Sequence, residues 1–178
     1  SGSTLTLVFL QVGTQRINDK YILKLRAHVG QMGDSVFALS AKPGSVSIAP
    51  MHSVVDASND VAIIQKQYEE KYGQPCQVNG NYIHSSIGGA ISLTRALGDE
   101  NFILIRKPVV KTYEADPKTA KILLASDGLY DSPKQAKKTI RGAMAALRAG
   151  STVQELGERI VRKHDNLTLI SVCYPADA

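Results

Sequence analysis

Hydrophobic positions alternate along the start of the chain. Thr4-Leu5-Thr6-Leu7-Val8-Phe9-Leu10 mixes β-branched and apolar residues in the manner of a buried strand. A polar stretch over 13–20 reads as a turn, and 21–29 reads as a second strand. Residues 30–35, Gly30-Gln31-Met32-Gly33-Asp34-Ser35, interrupt that pattern before Val36-Phe37-Ala38-Leu39 resumes it, which predicts a hairpin or bulged turn between two strands. Pro43-Gly44 marks a turn-like segment with a short strand over 46–48. Ser58-Asn59-Asp60 supplies N-cap residues for a helix to about Tyr72, whose apolar positions Val61, Ile64, Tyr68 and Tyr72 share one face. Gly73 stops it. Residues 74–89 read as loop-rich, 104–113 as strand-like around Pro108, and 120–125 as a short apolar strand. Helices follow over 133–149 and 152–163, with Pro133 in a first turn, Gly150 as a stop and Ser151 or Thr152 as the next N-cap. The closing stretch 167–174 is apolar enough for a central strand. Seven or eight mostly sequential strands and three helices predict an α+β fold, antiparallel sheets with helices packed outside, in one domain over 1–178.

Composition narrows the function classes. The chain has 178 residues, 43% of them hydrophobic, enough to fill one core, and no apolar run approaches the ~18 residues of a membrane span. No secretory leader is legible at the start. Cys76 and Cys173 stand far apart and form neither a disulfide framework nor a metal pair, which points to a cytoplasmic protein with reduced thiols. Cys173 alternates within its strand as a small core residue, whereas Cys76 follows Pro75 in a loop. The formal charge is +5. Its basic runs, Lys134, Lys137, Lys138 and Arg141, then Arg159, Arg162 and Lys163, fall at helical spacing and read as solvated helix faces. Without Trp, and with only three Phe, the chain lacks the aromatics that a nucleic-acid surface interleaves with basic residues.

Candidate chemistry gathers where strands end. Gly33-Asp34-Ser35, Leu97-Gly98-Asp99, Ala125-Ser126-Asp127-Gly128 and His164-Asp165-Asn166 place short carboxylates beside small residues. Asp is the hard oxygen ligand that Mg²⁺ and Mn²⁺ prefer, and Gly128 beside Asp127 lets backbone or bound water approach. Each segment also has an ordinary structural reading. Asp-Gly after a strand is a turn signal, Asp165-Asn166 forms a cap or an Asx-turn, and a His at a helix end interacts with its carbonyls.

The order of the segments adds what none carries alone. Gly2-Ser3-Thr4, Gly33-Asp34-Ser35, Ser92-Leu93-Thr94-Arg95-Ala96-Leu97-Gly98-Asp99, Leu124-Ala125-Ser126-Asp127-Gly128-Leu129-Tyr130-Asp131 and Asp165-Asn166-Leu167-Thr168 occur in succession. This resembles the metal-dependent Ser/Thr protein phosphatase family of protein phosphatase 2C type. The resemblance implies two antiparallel sheets stacked as a sandwich and flanked by helices. It also implies two Mn²⁺ or Mg²⁺ ions activating a water for in-line attack on phosphoserine or phosphothreonine. By motif match Asp127 and Asp165 would be metal ligands, Asp34 a ligand of a peripheral ion, and Arg95 and Asp99 scaffold.

The family also has a Glu-Asp pair, an Asp-Gly-His-Gly segment and a phosphate-gripping Arg upstream of its Gly-Ser-Thr strand, and no such motif occurs in this sequence. The expectation is therefore a domain truncated at its N-terminus with half a metal site. It would be inactive by itself, a pseudophosphatase or interaction module that binds a phosphoprotein or other protein partner with no metal held. The alternative is an active phosphatase whose missing ligands come from another segment or chain. Missing central strands would open sheet edges, so a partner, a second copy as homo-oligomer, or a rearranged strand is expected to close them.

Overall fold

The computed structural model describes residues 2–85, 88–98, 102–160 and 167–173. Its elements are β1 (Gly2–Ser3), β2 (Leu5–Ile17), β3 (Lys20–Met32), β4 (Val36–Lys42), β5 (Ser45–Ile48), α1 (Ser58–Tyr72), β6 (Gln77–Asn79), β7 (Tyr82–His84), β8 (Ala90–Ile91), β9 (Leu97–Gly98), β10 (Val109–Ala115), β11 (Lys121–Ala125), α2 (Pro133–Arg148), α3 (Val153–Ile160) and β12 (Leu169–Cys173). The short turn Asp127–Leu129 is a 3-10 helix. Contacts divide the chain into two compact units. One takes in the start of the chain through Thr6, Gly30–Ser35 and Pro50–Val109, and the other Leu7–Val29, Val36–Ala49 and the chain from Val110 on.

The larger unit is a sandwich. One sheet has the order β10-β3-β2 and the other β12-β11-β4-β5. Leu25, Ala27 and Val29 of β3 share a buried cluster with Phe37 and Leu39 of β4 and Ile122 of β11, and the Phe37 and Tyr113 rings meet at 5.2 Å. Strand β11 pairs antiparallel with β4, Leu123 opposite Ala38, and with β12, Leu123 opposite Ser171. Residues 36–40 are buried on both faces because α2 covers the outer side of the sheet with Ala136, Ile140, Ala143, Met144 and Leu147. Lys134, Lys138 and Arg141 lie on its exposed face, as their helical spacing predicts. Helix α3 begins with a capping box: the Glu155 N–H donates to Thr152 Oγ1 at 3.1 Å, and the Thr152 N–H donates to Glu155 Oε2 at 2.8 Å.

The smaller unit pairs β1 with β9, stacks β6-β7-β8, and packs α1 over them through Ile64 and Tyr68, with Val54, Cys76, Ile83, Ala96 and Leu104 in the same cluster. Gly73 ends α1 in the left-handed region at φ 75, its N–H donating to Glu69 O.

The α+β class and the antiparallel sheets are as the hydrophobic pattern predicts, and several local readings change. The first strand is not buried: β2 is an outer strand whose alternation turns Leu5, Leu7 and Phe9 outward, and the closing strand β12 is an outer strand too, not a central one. The 13–20 turn contracts to Asn18 and Asp19, both at positive φ (47 and 62), because a two-residue turn lets the polar residues before it continue as strand on a solvated face. Strands β3 and β4 are not a hairpin: they belong to different sheets, with Gly33 at φ 96 at the crossing. Residues 74–89 contain two short strands, and the 104–113 strand starts only after Pro108. Cys173 is exposed, since the alternation of β12 turns Val172 to the core instead, while Cys76 is buried.

Candidate functional site

Strand β11, held on both sides by β4 and β12, delivers Asp127 at its end. The Ser126 N–H donates to Thr168 O at 3.1 Å, and the Thr168 N–H donates to Ser126 Oγ at 3.0 Å, tying the turn to the entry of β12. Gly128, Leu129 and Tyr130 are buried beneath it, and the Tyr130 N–H donates to Asp127 O. Asp127 itself is exposed. A carboxylate on a strand end fastened in this way is pre-positioned for a hard cation.

Asp34 belongs to the smaller unit and is half-buried. Its loop is fastened on either side: the His52 N–H donates to Gly33 O at 2.9 Å, the Gln31 side-chain amide donates to Ser35 O, and the Ser35 and Thr4 hydroxyls pair at 3.0 Å. Asp165, together with Asp99 and His164, lies outside the described residues. Among the described residues no group of three or more His, Cys, Asp and Glu side chains converges to hold a metal ion. Asp127 fits one coordination position of a hard divalent ion, and the described residues do not complete the set.

Arg95, taken as scaffold, is seen as such. Its Nε and Nη2 donate to the two carboxylate oxygens of Asp60 at 2.6 and 2.7 Å, and its Nη1 donates to Lys107 O at 2.6 Å. Thr94 Oγ1 lies 3.1 Å from Asp60 Oδ2 and 3.1 Å from His52 O. Asp60 is 7% exposed and Thr94 fully buried. Sequence reasoning placed Asp60 among cap candidates for α1, but the cap residue is Ala57, with no side-chain hydrogen bond, and Asp60 turns to Arg95 instead. The fork geometry of a guanidinium meeting a carboxylate explains the preference. Burial pushes the Asp60 carboxyl up, but the Arg95 hydrogen bonds and charge, together with Thr94, outweigh it and hold the group below its ordinary value.

His52 drew no notice in the sequence, and its burial is what singles it out. It is 3% exposed, and neither ring nitrogen has a hydrogen-bond partner. Burial first, then the Arg95 charge, lower its pKa, against smaller opposing pulls from the Asp60 charge and the Gly33 backbone. A His inside an apolar run carries no sequence signal that separates it from an exposed one.

The sequence matches the family model described as "Protein phosphatase 2C" over residues 1–163. The chain belongs to the protein phosphatase 2C family. The family is one of metal-dependent Ser/Thr phosphatases, and the antiparallel sheets and helices described above are its fold. Among solved structures, a phosphatase from a pathogenic strain of Toxoplasma gondii superposes with a TM-score of 0.61 at 17% identity, covering 97% of this chain and 67% of that one. A serine-threonine phosphatase 2C from Toxoplasma gondii gives 0.58 at 21% identity, covering 87% of this chain and 58% of that one. A further Toxoplasma gondii phosphatase gives 0.57 at 18%, covering 88% and 46%. At these identities the likeness shows the fold. The chain spans between 46% and 67% of the length of these three proteins. No curated protein matches it by sequence.

Proposed function

We propose that this chain is a protein phosphatase 2C-type module that by itself binds a phosphoprotein or other protein partner with little or no turnover, a pseudophosphatase. The reaction class of its family is the metal-dependent hydrolysis of phosphoserine or phosphothreonine. The observation that carries this reading is the setting of Asp127, a carboxylate fixed at the end of a buried strand with no described ligands converging beside it. Mg²⁺ held by one or two carboxylates binds weakly, and a water on such an ion is neither positioned nor acidified enough to attack phosphorus. A cytoplasmic location is part of the proposal, supported by the two free cysteines. The second reading, an active Mn²⁺- or Mg²⁺-dependent phosphatase, is favoured by the retained Asp127 and Asp165, with the remaining ligands supplied by another segment or chain.

Calorimetric titration of Mn²⁺ into the chain, beside hydrolysis of para-nitrophenyl phosphate, separates the two. The expected result is millimolar or weaker binding and no turnover above background, unchanged in Asp127→Asn. Tight binding with turnover, both lost in Asp127→Asn, would overturn the pseudophosphatase reading and establish the active one.

A further inference from the structure

Helix α2 carries the charge imbalance of the chain. From Ser132 to Gln154 the sequence has five cationic side chains, Lys134, Lys137, Lys138, Arg141 and Arg148, and no Asp or Glu. The formal charge of the whole chain is +5, so everything outside this stretch balances. Arg148 is engaged within the fold, its Nη2 donating to Ser40 O and Thr119 O, both at 3.0 Å. Lys134, Lys138 and Arg141 are exposed and fall at i, i+4 and i+7, opposite the buried Ile140, Ala143 and Leu147. Among the described residues none of these three has an acidic partner.

Helical spacing alone makes a solvated face, and two further features set this one apart. The first turn of α2 holds no acid, whereas Asp60 and Glu155 stand in that turn of α1 and α3. Lys134 therefore meets the positive end of the helix dipole, and Lys134–Lys138 and Lys138–Arg141 are repulsive pairs one turn apart. Gly142 is exposed beside them, and a Cβ added there would meet nothing within 4 Å. Packing does not call for glycine at a position where Ala would favour the helix, and bare backbone lets another chain lie close. The rules of helix stability are broken together on one face, the mark of a surface whose residues are set by binding.

We propose that this face docks an acidic polypeptide segment. Carboxylates laid along it relieve the repulsion that the free helix carries, and no other stretch of the chain offers them an unbalanced positive surface. Lys134 and Arg141 lie ~10 Å apart along the axis, which an extended peptide spans in about three residues. The segment that fits is thus a short run of Asp or Glu. Helix α2 follows the Asp127–Leu129 turn and packs against it, so such a run would lie beside a phosphoresidue brought to Asp127. That last step rests on the phosphoprotein-binding reading above; the acidic docking itself does not. The helix has no aromatic residue on which bases could stack, and its apolar face is buried against the sheet. Neither single-stranded nucleic acid nor a membrane surface fits as well.

Fluorescence anisotropy with a labelled peptide bearing a run of Glu, against the same peptide with Gln in their place, reads the docking without metal or turnover. The Glu peptide is expected to bind at least ~tenfold tighter, and less so as salt rises. Lys134→Glu with Lys138→Glu is expected to abolish that preference. Circular dichroism should be unchanged and thermal stability equal or higher, because a carboxylate suits the start of a helix. Lys20→Glu with Lys111→Glu makes the same change of net charge at exposed strand positions and is expected to leave binding within ~twofold. Equal binding of the two peptides would overturn the inference, as would equal losses from the two double variants. So would a preference for polyuridylate or for phosphatidylserine vesicles over the Glu peptide. Turnover of para-nitrophenyl phosphate with docking intact would overturn the pseudophosphatase reading alone. Lack of docking with Mn²⁺ binding still weak would overturn this inference alone.

Discussion

Removing the Arg95 side chain tests whether the ion pair with Asp60 is part of the framework of the smaller unit. Arg95→Ala deletes two hydrogen bonds to Asp60 and one to Lys107 O, and leaves a carboxylate in a residue only 7% exposed with Thr94 as its remaining partner. Breaking a buried pair from one side costs about 3–5 kcal/mol, most of it the price of an uncompensated charge. The Arg95 side chain is 15% exposed, so some water can reach the site and the lower end, about 3 kcal/mol, is expected. Two consequences distinguish this account from loss of packing. Asp60→Asn added to Arg95→Ala should restore part of the loss, because the orphaned charge is gone. The deficit of Arg95→Ala should also shrink in acid. Asp60 has a lowered pKa in the fold, so its contribution is present above its ordinary value near 3.8 and is lost as pH falls through the depressed one. The chain has no Trp, so urea unfolding is followed by far-ultraviolet circular dichroism, with amide exchange across α1 reporting the smaller unit. A cost below ~1 kcal/mol, within the range of an exposed ion pair, would refute the reasoning. So would a double variant no more stable than Arg95→Ala at neutral pH.

His52 gives the opposite handle on pH. Its pKa lies below the ordinary 6.5 in the fold, so the unfolded chain takes up the proton first and stability should fall as pH drops from about 6.5 through the lowered value. His52→Leu should remove that slope, and an unchanged profile would contradict the assignment. Gly33→Ala should destabilise the smaller unit by at least ~2 kcal/mol, since a residue with a side chain is strained at φ 96 and the added methyl would lie 2.3 Å from the Thr4 methyl. Equilibrium unfolding within ~0.5 kcal/mol of the parent would show that the loop moves aside.

Periodicity located the helices because each has one buried stripe. Ile64 and Tyr68 in α1, and Ala136, Ile140, Met144 and Leu147 in α2, alternate at the spacing that read as helix. The same logic failed at β3 and β4. A strand break at Gly33 looks alike whether the chain folds back on itself or crosses to the facing sheet, and only pairing partners far away in sequence, β10 for β3 and β11 for β4, decide it. Cys173 shows the smaller version of that limit: alternation says which residues share a face of β12, but not which face meets the core. For the candidate site, the strand end carrying Asp127 was legible as a turn after an apolar strand. The Ser126–Thr168 tie that holds it was not, because it joins residues that only the fold brings together.

The same limit separates what the Arg95-Ala-Leu-Gly segment identifies from what it does. A guanidinium next to a phosphatase motif invites a role in gripping phosphate, yet Nε, Nη1 and Nη2 of Arg95 each already donate to Asp60 or to Lys107 O. To turn toward a phosphoryl group it would have to abandon a buried carboxylate, at the cost argued above. Arg95 is thus a clasp between α1 and the segment before β9, and its motif is specific because the fold needs that clasp. Family membership is read from such residues, whereas turnover depends on carboxylates brought together from distant points of the chain. A domain can therefore keep its family's marks at Arg95, Gly33 and the Asp127 turn and still have its activity decided elsewhere, by whether enough ligands gather around Asp127.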